Sequence, residues 1–467
     1  MIVAGPERVL IVGGGVGGLT AALALGRAGH AVTVLERDPL PPTADAEEAF
    51  ASERRGAPQA HQTHGFLARM QVLLRERFPD VLDDLLAVGG TTMPTTANLG
   101  EPQPGDEDLK VVIVRRTTLE WVLRKAALAS PNVEMRAAAG VTGLVGADGH
   151  VWGVRLEDGT TVEADAVVAA TGRRGDVPGW LREIGVHVEE TVVESGLMYL
   201  TRWYRLPDGF DVLSLDPKLG GDLGFVKFLG VPGDGGTLSI TLAIRPDDRE
   251  LRAALSDDAG FERACRLLPG PSQFFTGPEL RPVGGVRPMG GLLNRLRTFL
   301  DADGEPVVTG FHALGDAHTC TNPLYGRGCS LAMVEAVLLA DAFAAHPGDA
   351  VGRAKAYEEA CRADVTPWYE ASVEMDRMGA DPAGGIADPE SPMARVFAAA
   401  QTDPVLGRGF ARLWNLIATP AELAADPQYL ERVAHVMSNP DEFPVPPREG
   451  PTRAELLEAL SKEPADA

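Results

Sequence analysis

The sequence predicts an α/β protein in which a parallel-sheet domain is interleaved with a β-rich domain and followed by a mainly helical region. Two glycine-rich segments, at 13–18 and 315–328, each follow an apolar run and precede an apolar helix. Between them, 196–205 and 237–244 are rich in the β-branched and aromatic residues that strands favour. Because strands from distant parts of a chain can join one sheet, we expect the two glycine-rich segments to share one domain.

The first glycine-rich segment has the pattern of a dinucleotide-binding turn. The apolar run Val9–Val12 suits a buried parallel strand, and Gly13-x-Gly15-x-x-Gly18 follows it directly, before an alanine- and leucine-rich helix. Gly13 permits a tight turn, Gly15 lets the backbone approach a pyrophosphate, and Gly18 lets helix and strand pack closely. The helix N-terminus offers N–H groups to phosphates, and Glu36, at the end of the next strand, can bind a ribose hydroxyl. The alternative is a glycine-rich turn in an ordinary βαβ unit. The pattern predicts a three-layer, Rossmann-like domain that binds FAD or NAD through Gly13, Gly15, Val16, Gly18, Glu36 and Arg37.

The second glycine-rich segment favours FAD. A strand predicted within 307–314 ends at Gly315-Asp316, where Asp316 can accept a hydrogen bond from a sugar hydroxyl, and a turn-rich loop at 322–328 precedes an apolar helix. Here the chain resembles the flavoprotein monooxygenases of the p-hydroxybenzoate hydroxylase type. In that family the Gly-Asp motif holds the FAD ribityl chain, and the following Pro-x-x-Gly-x-Gly loop lies beside the isoalloxazine. The resemblance implies that FAD also contacts Gly315, Asp316, Pro323, Gly326 and Gly328.

Two further stretches extend the resemblance, which spans roughly 8–345. Arg116 begins a helix after the strand predicted at 111–114, where the family places an FAD-contacting arginine. The loop 56–64 is similar to a stretch of bacterial polyether epoxidases, with matches at Gly56, Pro58, Gln59 and His64, whereas His61 and Gln62 replace an arginine and a histidine. Since a flavin carries the chemistry itself, we predict no obligatory catalytic side chain, and His64 is the candidate for assisting it.

The source of electrons stays open between NAD(P)H acting directly and a separate flavin reductase or ferredoxin. Family members that bind NADPH usually carry Asp-Gly where this chain has Thr171-Gly172, so we expect weak or absent direct oxidation of NADPH. Arg54 and its neighbour Arg55, like Arg173 and Arg174, are predicted to be solvated charges rather than phosphate ligands.

Composition excludes several classes of protein. The net charge of −23 argues against a nucleic-acid partner. The four cysteines lack metal-ligand spacing and predict a reducing, cytoplasmic location without a metal site. The first twelve residues do not resemble a signal peptide, and we expect no apolar stretch of membrane-spanning length.

The predicted domain order is interleaved. Residues 1–190 and 286–345 are expected to form the two parts of the FAD domain, 191–285 the substrate-binding sheet, and 346–467 a helical region that ends in a frayed, charged tail. Aromatic residues of the sheet are the candidates for lining a substrate pocket: Trp203, Tyr204 and Phe225.

The main functional hypothesis is an FAD-dependent monooxygenase that inserts one oxygen atom from O2 into an apolar small molecule. The resemblance implies epoxidation or hydroxylation through a flavin C4a-hydroperoxide, in natural-product metabolism. One alternative is an FAD-dependent reductase of the geranylgeranyl-reductase kind, which saturates isoprenoid double bonds. A non-enzymatic flavoprotein is the other alternative, and the oligomeric state stays open.

Overall fold

The computed structural model describes residues 5–40, 42–210, 219–276, 279–380 and 391–461. Its strands are β1 Arg8–Val12, β2 Ala31–Leu35, β3 Thr91–Pro94, β4 Lys110–Ile113, β5 Val133–Arg136, β6 Val141–Ala147, β7 His150–Leu156, β8 Thr161–Glu163, β9 Ala166–Ala169, β10 Glu189–Glu194, β11 Met198–Arg205, β12 Gly220–Asp222, β13 Val226–Gly233, β14 Thr237–Ile244, β15 Arg281–Met289, β16 Leu293–Thr298, β17 Phe311–Ala313 and β18 Thr319–Cys320. Its α-helices are α1 Val16–Arg27, α2 Ala46–Ala51, α3 Ala68–Arg77, α4 Pro79–Ala87, α5 Arg116–Leu128, α6 Val177–Glu183, α7 Arg249–Ser256, α8 Asp258–Leu267, α9 Pro269–Ser272, α10 Gly328–Ala345, α11 Ala350–Asp364, α12 Thr366–Ala380, α13 Pro392–Ala399, α14 Pro404–Trp414, α15 Pro420–Ala424, α16 Pro427–Ser438 and α17 Arg453–Ser461.

A five-stranded parallel sheet forms the centre of the first domain, in the order β17-β9-β1-β2-β5. Alternate residues of β1 enter two different cores: Val9 and Ile11 pack with α1 and α10, whereas Leu10 and Val12 pack beneath the antiparallel layer β6-β7-β8. Burial on both faces explains why β1 is a continuous apolar run rather than an alternating one. The predicted three-layer, Rossmann-like α/β fold is confirmed, and β17 joins this sheet from the second glycine-rich segment.

The second sheet is antiparallel, in the order β12-β13-β14-β11-β15. One face packs on α7, α8 and α9 and is filled by apolar side chains such as Leu200 and Leu242. The other face carries Tyr199, Thr201 and Trp203, because successive side chains of β11 point to opposite sides. This face turns toward the loop 56–65 of the parallel-sheet domain.

The helices that follow the second glycine-rich segment pack on the parallel-sheet domain. Helix α10 lies against α1 and α11, and α12 lies against β16 and β18. Among the described residues, α10 is the one helix that is long and apolar enough to cross a membrane, with a mean hydropathy of 1.6, and 67% of it is buried inside the fold. Glu335 and Asp341 lie within α10, so it is not the uninterrupted apolar stretch that we expected to be absent. The apolar composition of α10 follows from its burial between two helices.

The frayed tail that we expect at the end of the chain does not include 453–461, which form α17, and 462–467 lie outside the described residues. Helix α17 packs on the helical side of the second sheet, where Leu456 and Leu460 are buried. Arg453 at its first turn forms ion pairs with Asp248 and Glu250 of the α7 region. Two leucines on one side of this amphipathic helix therefore anchor a segment that we expected, from its charge, to be solvated.

Candidate active site

One cavity, of about 420 Å³, lies where the parallel sheet, both glycine-rich segments and the second sheet meet. All twelve residues predicted to contact the cofactor line it: Gly13, Gly15, Val16, Gly18, Glu36, Arg37, Arg116, Gly315, Asp316, Pro323, Gly326 and Gly328. Segments three hundred residues apart in the sequence therefore meet at one site. That these residues bind FAD stays a prediction, which the local geometry supports as follows.

The turn between β1 and α1 has room for a ligand only at Gly15. A Cβ atom on Gly18 would lie 2.0 Å from the carbonyl oxygen of Gly13, and one on Gly13, whose φ is +113°, would lie 2.4 Å from that of Ala170. At Gly15 the nearest atoms would be 3.9 Å away. No side chain caps α1, and its first turn contains no acidic residue. The helix start thus presents N–H groups and open space to the cavity, as a pyrophosphate requires.

Glu36 belongs to a buried charge cluster at the same end of the cavity. Its carboxylate accepts hydrogen bonds from the backbone N–H of Gly14 (2.9 Å) and Asp38 (2.9 Å). The Arg54 guanidinium contacts the carboxylates of Glu36 (3.1 Å), Asp38 (3.2 Å) and Glu120 (2.6 Å). Arg54 is only 6% exposed, so its prediction as a solvated charge was wrong. Three carboxylates compensate its burial. They lie 16, 18 and 66 residues from Arg54 in the sequence, so no local pattern indicates them.

Asp316 lies at the centre of the second motif. Burial raises the pKa of its carboxyl group, against the opposing effect of Arg116, Arg173 and Arg295. Within the part of the chain that the structure describes, no group donates a hydrogen bond to this carboxylate, although the backbone oxygen of Asp316 accepts one from Arg295 (2.8 Å). A half-buried acceptor that lines a cavity and has no donor suits a polyol chain such as ribityl.

A buried charge triad holds the turn that carries Asp316. The backbone N–H of Gly315 donates to the Glu335 carboxylate, and the His318 ring contacts Glu335 (3.2 Å) and Glu358 (3.4 Å). Burial disfavours the charged ring, but Glu358 and Glu335 outweigh this and raise the pKa of His318 to about 10. His318 does not line the cavity, so its contacts support the motif from behind.

His64 reaches the cavity as a neutral ring. Burial and the nearby Arg116 charge lower its pKa to about 3. Its Nδ1 lies 2.9 Å from the carbonyl oxygen of Gln62, and its Nε2 lies 3.3 Å from Nη1 of Arg116. Because a carbonyl only accepts and a guanidinium only donates, the proton is on Nδ1 and the Nε2 lone pair faces Arg116. His64 therefore orients Arg116 and stays neutral near neutral pH, with its one ring proton hydrogen-bonded to the Gln62 carbonyl.

The three aromatic residues predicted to line a substrate pocket lie elsewhere, and this prediction needs correction. Trp203 donates from Nε1 to the carbonyl oxygen of His61 (2.7 Å) and so fastens the loop 56–65 to the sheet. Tyr204 is buried on the opposite face against Phe275, and Phe225 packs at the edge of that same core. Neighbouring residues of a strand face opposite sides, so Trp203 and Tyr204 cannot line one pocket.

The cavity wall beside the second sheet is formed by residues that were not predicted from the sequence. Tyr199 of β11, Met289 of β15 and Leu293 of β16 line the cavity opposite the glycine-rich turns. Tyr199 shares the face of Trp203, since the two are four residues apart in one strand. The alternation of β11 could therefore have indicated Tyr199, once the buried face was known.

Two cysteines also line the cavity and are protonated thiols. Burial raises the pKa of Cys329 to about 11 and raises that of Cys320 further. Both are free, as are Cys265 and Cys361. They contribute small apolar surface to the cavity.

Comparison with known proteins agrees with this site. Residues 8–95 match the sequence model of the family described as FAD dependent oxidoreductase. Protein Rv3254 of Mycobacterium tuberculosis is 26% identical over 472 residues, 92% of this chain and 94% of that protein. Kynurenine 3-monooxygenase of Salinispora arenicola is 28% identical over 367 residues, 76% of each chain. The crystal structure of p-nitrophenol 4-monooxygenase PnpA from Pseudomonas putida has the same fold, with a TM-score of 0.60 and 21% identity over 89% of this chain and 100% of that one.

The fold, the cavity and these likenesses define the class of protein. Residues 8–95 match an FAD-dependent oxidoreductase domain, and the chain is an oxidoreductase enzyme.

Proposed function

We propose that the protein is an FAD-dependent monooxygenase that transfers one oxygen atom from O2 to an apolar small molecule, by epoxidation or hydroxylation. One observation carries the proposal: the cavity that starts at the glycine-rich turns continues without interruption to the wall formed by Tyr199, Met289 and Leu293. A bound flavin, once reduced, supplies the oxygen chemistry. The kynurenine and p-nitrophenol enzymes that the chain is similar to are monooxygenases by name, which supports the same reaction class.

Several titratable side chains that line the cavity keep one protonation state near neutral pH, which suits oxygen transfer by a flavin. His64 stays neutral, and the thiols of Cys320 and Cys329 stay protonated. The charge of Arg116 is bound by Glu120 at 2.9 Å. Such a lining protects a reactive oxygen species from protons and water, and it leaves the orientation of the substrate to the shape of the wall.

The electron source in this proposal is NAD(P)H or a separate flavin reductase or ferredoxin. Thr171 lines the cavity, and its buried hydroxyl has no hydrogen-bond partner among the described residues. A hydroxyl cannot replace the charge of the aspartate that the resemblance leads one to expect there, which favours the separate reductase.

The wider setting belongs to the same proposal. Four free cysteines support a cytoplasmic location, and the similarity to polyether epoxidases supports a role in natural-product metabolism. The two sheets support the division into 1–190, 191–285, 286–345 and 346–467, with β15 as the strand that crosses one boundary.

Incubation of the FAD-loaded protein with labelled dioxygen tests the proposal. The protein is reduced by dithionite and mixed with labelled O2 and a panel of phenols, anilines and isoprenoid alkenes, and the products are analysed by mass spectrometry. We expect one labelled oxygen atom in at least one product. A product that has gained two hydrogens and no label identifies the alkene reductase instead. If the flavin is reoxidised with no product from any compound, the non-enzymatic alternative is favoured. NADPH without a reductase should bleach the flavin slowly, and fast anaerobic bleaching would contradict our view of Thr171.

A further inference from the structure

Helix α12 contacts the start of the loop 322–328 through one carboxylate, Asp376. Its Oδ1 accepts hydrogen bonds from Nδ2 of Asn322 (2.7 Å) and from the hydroxyl of Tyr325 (2.7 Å). Its Oδ2 accepts from Nδ2 of Asn294 on β16 (2.6 Å). Asp376 thus ties together the loop, a strand of a small sheet and a helix that lies outside the region of family resemblance.

These bonds fix the Asn322 amide and, through it, the wall of the cavity. Because the Nδ2 of Asn322 faces Asp376, its Oδ1 must face the other way, where it accepts from the Tyr199 hydroxyl (3.1 Å) and the backbone N–H of Leu324 (3.1 Å). The backbone N–H of Asn322 in turn donates to Oδ1 of Asn294 (2.8 Å). Every polar group of this network has a partner, so the loop has one conformation in which all are satisfied.

The same face of α12 also holds Arg327, the residue that precedes α10. Arg327 is 1% exposed and donates to the carbonyl oxygen of Trp368 (3.0 Å) and the hydroxyl of Ser372 (2.6 Å), without a carboxylate partner among the described residues. Burial lowers its pKa to about 10. Trp368, Ser372 and Asp376 follow each other at intervals of four, which places them on one side of the helix. An arginine buried without an ion pair indicates that this docking is specific.

We propose that Asp376 is a positioning residue for the flavin end of the cofactor: it holds the loop that carries Pro323, Gly326 and Gly328 in the shape that accepts the isoalloxazine. This inference rests on the proposed binding of FAD. The adenine end lies at α1 and Glu36, which Asp376 does not contact. Loss of the carboxylate should therefore weaken binding of the isoalloxazine half and leave the adenine half unaffected.

The variant Asp376→Asn tests this, since an amide of the same shape offers one acceptor oxygen to three donors. The affinities of the apoprotein for FAD and for ADP, which has only the adenine half, are measured by calorimetry. We expect Asp376→Asn to raise the Kd for FAD about tenfold or more and to leave the Kd for ADP unchanged. The fluorescence of the bound flavin should rise, because its ring is less enclosed. Glu374→Gln, which removes a carboxylate from the exposed side of the same helix, is the matched control and should change neither Kd.

Tyr325→Phe is the second variant, because it removes one donor and keeps the carboxylate. It should weaken FAD binding less, in the same direction, and its effect should be less than additive with that of Asp376→Asn. An unchanged Kd for FAD in both variants would overturn the proposal. A parallel loss of FAD and ADP affinity would also overturn it, since a merely structural role predicts that. Wild-type protein that binds FAD but transfers no oxygen would refute the proposed function and leave the role of Asp376 intact.

Discussion

At the scale of single residues, Asp316 lowers the stability of the apoprotein. A bound flavin would restore this stability. The carboxylate of Asp316 is half-buried and accepts no hydrogen bond from any donor in the described structure, and desolvation raises its pKa. An acid whose pKa is raised on folding destabilises the folded state above its unfolded pKa, near 4, because the folded chain disfavours the charge. Hydroxyl groups of a ribityl chain would supply the missing donors.

We therefore predict opposite effects of Asp316→Asn on stability and on binding. At pH 7 the melting temperature of the apoprotein should stay the same or rise, whereas FAD should be lost on gel filtration. Melting curves and the ratio of flavin to protein absorbance measure the two effects. Asp83→Asn, at an exposed site on α4, is the control. Full flavin occupancy in Asp316→Asn would show that this residue does not hold the cofactor.

The sequence indicated which residues line the cavity where a residue's position is set by the backbone next to it, and their binding of FAD stays a prediction. The glycines and Asp316 sit in turns whose shape their own spacing determines, so their place at the cavity follows from local pattern. Tyr199 and Asp376 could not be found this way. The face of β11 that meets the cavity depends on which side the helices α7 to α9 cover, and the partners of Asp376 lie 51 to 82 residues away in the sequence.

At the scale of elements, two glycines of the turn between β1 and α1 differ in what they do. Gly18 allows the strand and the helix to pack closely, whereas Gly15 leaves space for a ligand. A methyl group at Gly18 would collide with the Gly13 carbonyl, whereas one at Gly15 would meet no protein atom closer than 3.9 Å. Gly15 also has φ of −87°, which any residue adopts. The space beside Gly15 is thus kept open although the fold does not require it.

From this difference we predict that Gly15→Ala folds normally and fails to bind FAD, and that Gly18→Ala loses both stability and binding. The added methyl at Gly15 occupies the side from which a pyrophosphate approaches. Urea unfolding and FAD titration of the two variants distinguish the effects. Normal FAD affinity in a stable Gly15→Ala protein would refute the placement of the pyrophosphate.

Elements differ in how far their sequence determines them. The apolar run 9–12 of β1 and the apolar β9 follow from burial on both faces, and the sequence pattern predicted the parallel sheet correctly. The residues 453–461 were mispredicted because of the charge near the end of the chain, although two leucines of α17 pack into a core that belongs to the second sheet. Docking between remote elements leaves little trace in the local pattern.

At the scale of the whole molecule, buried histidines of opposite behaviour set the dependence of stability on pH. Burial, together with a nearby arginine, lowers the pKa of both His64 and His312 to about 3. For His318, the nearby carboxylates of Glu358 and Glu335 raise the pKa to about 10. In the unfolded chain each is near 6.5. Below pH 6.5, His64 and His312 bind protons in the unfolded chain but not in the folded protein. The free energy of unfolding therefore falls as the pH is lowered. The contribution of His318 is complete below pH 6.5 and is lost as the pH rises toward 10.

The free energy of unfolding of the apoprotein should therefore be greatest near neutral pH and fall in both directions. At pH 5 each of His64 and His312 should cost about 2 kcal/mol relative to pH 7. Urea unfolding at pH 5, 7 and 9 measures this. His312 lies between Phe343 and Tyr357, and His312→Phe should reduce the loss of stability at pH 5. His318→Gln should reduce the change in stability between pH 7 and 9 and lower the stability at every pH. A wild-type protein equally stable at pH 5 and 7 would show that these rings accept protons in the folded state. In that case His64 could exchange a proton in the cavity after all.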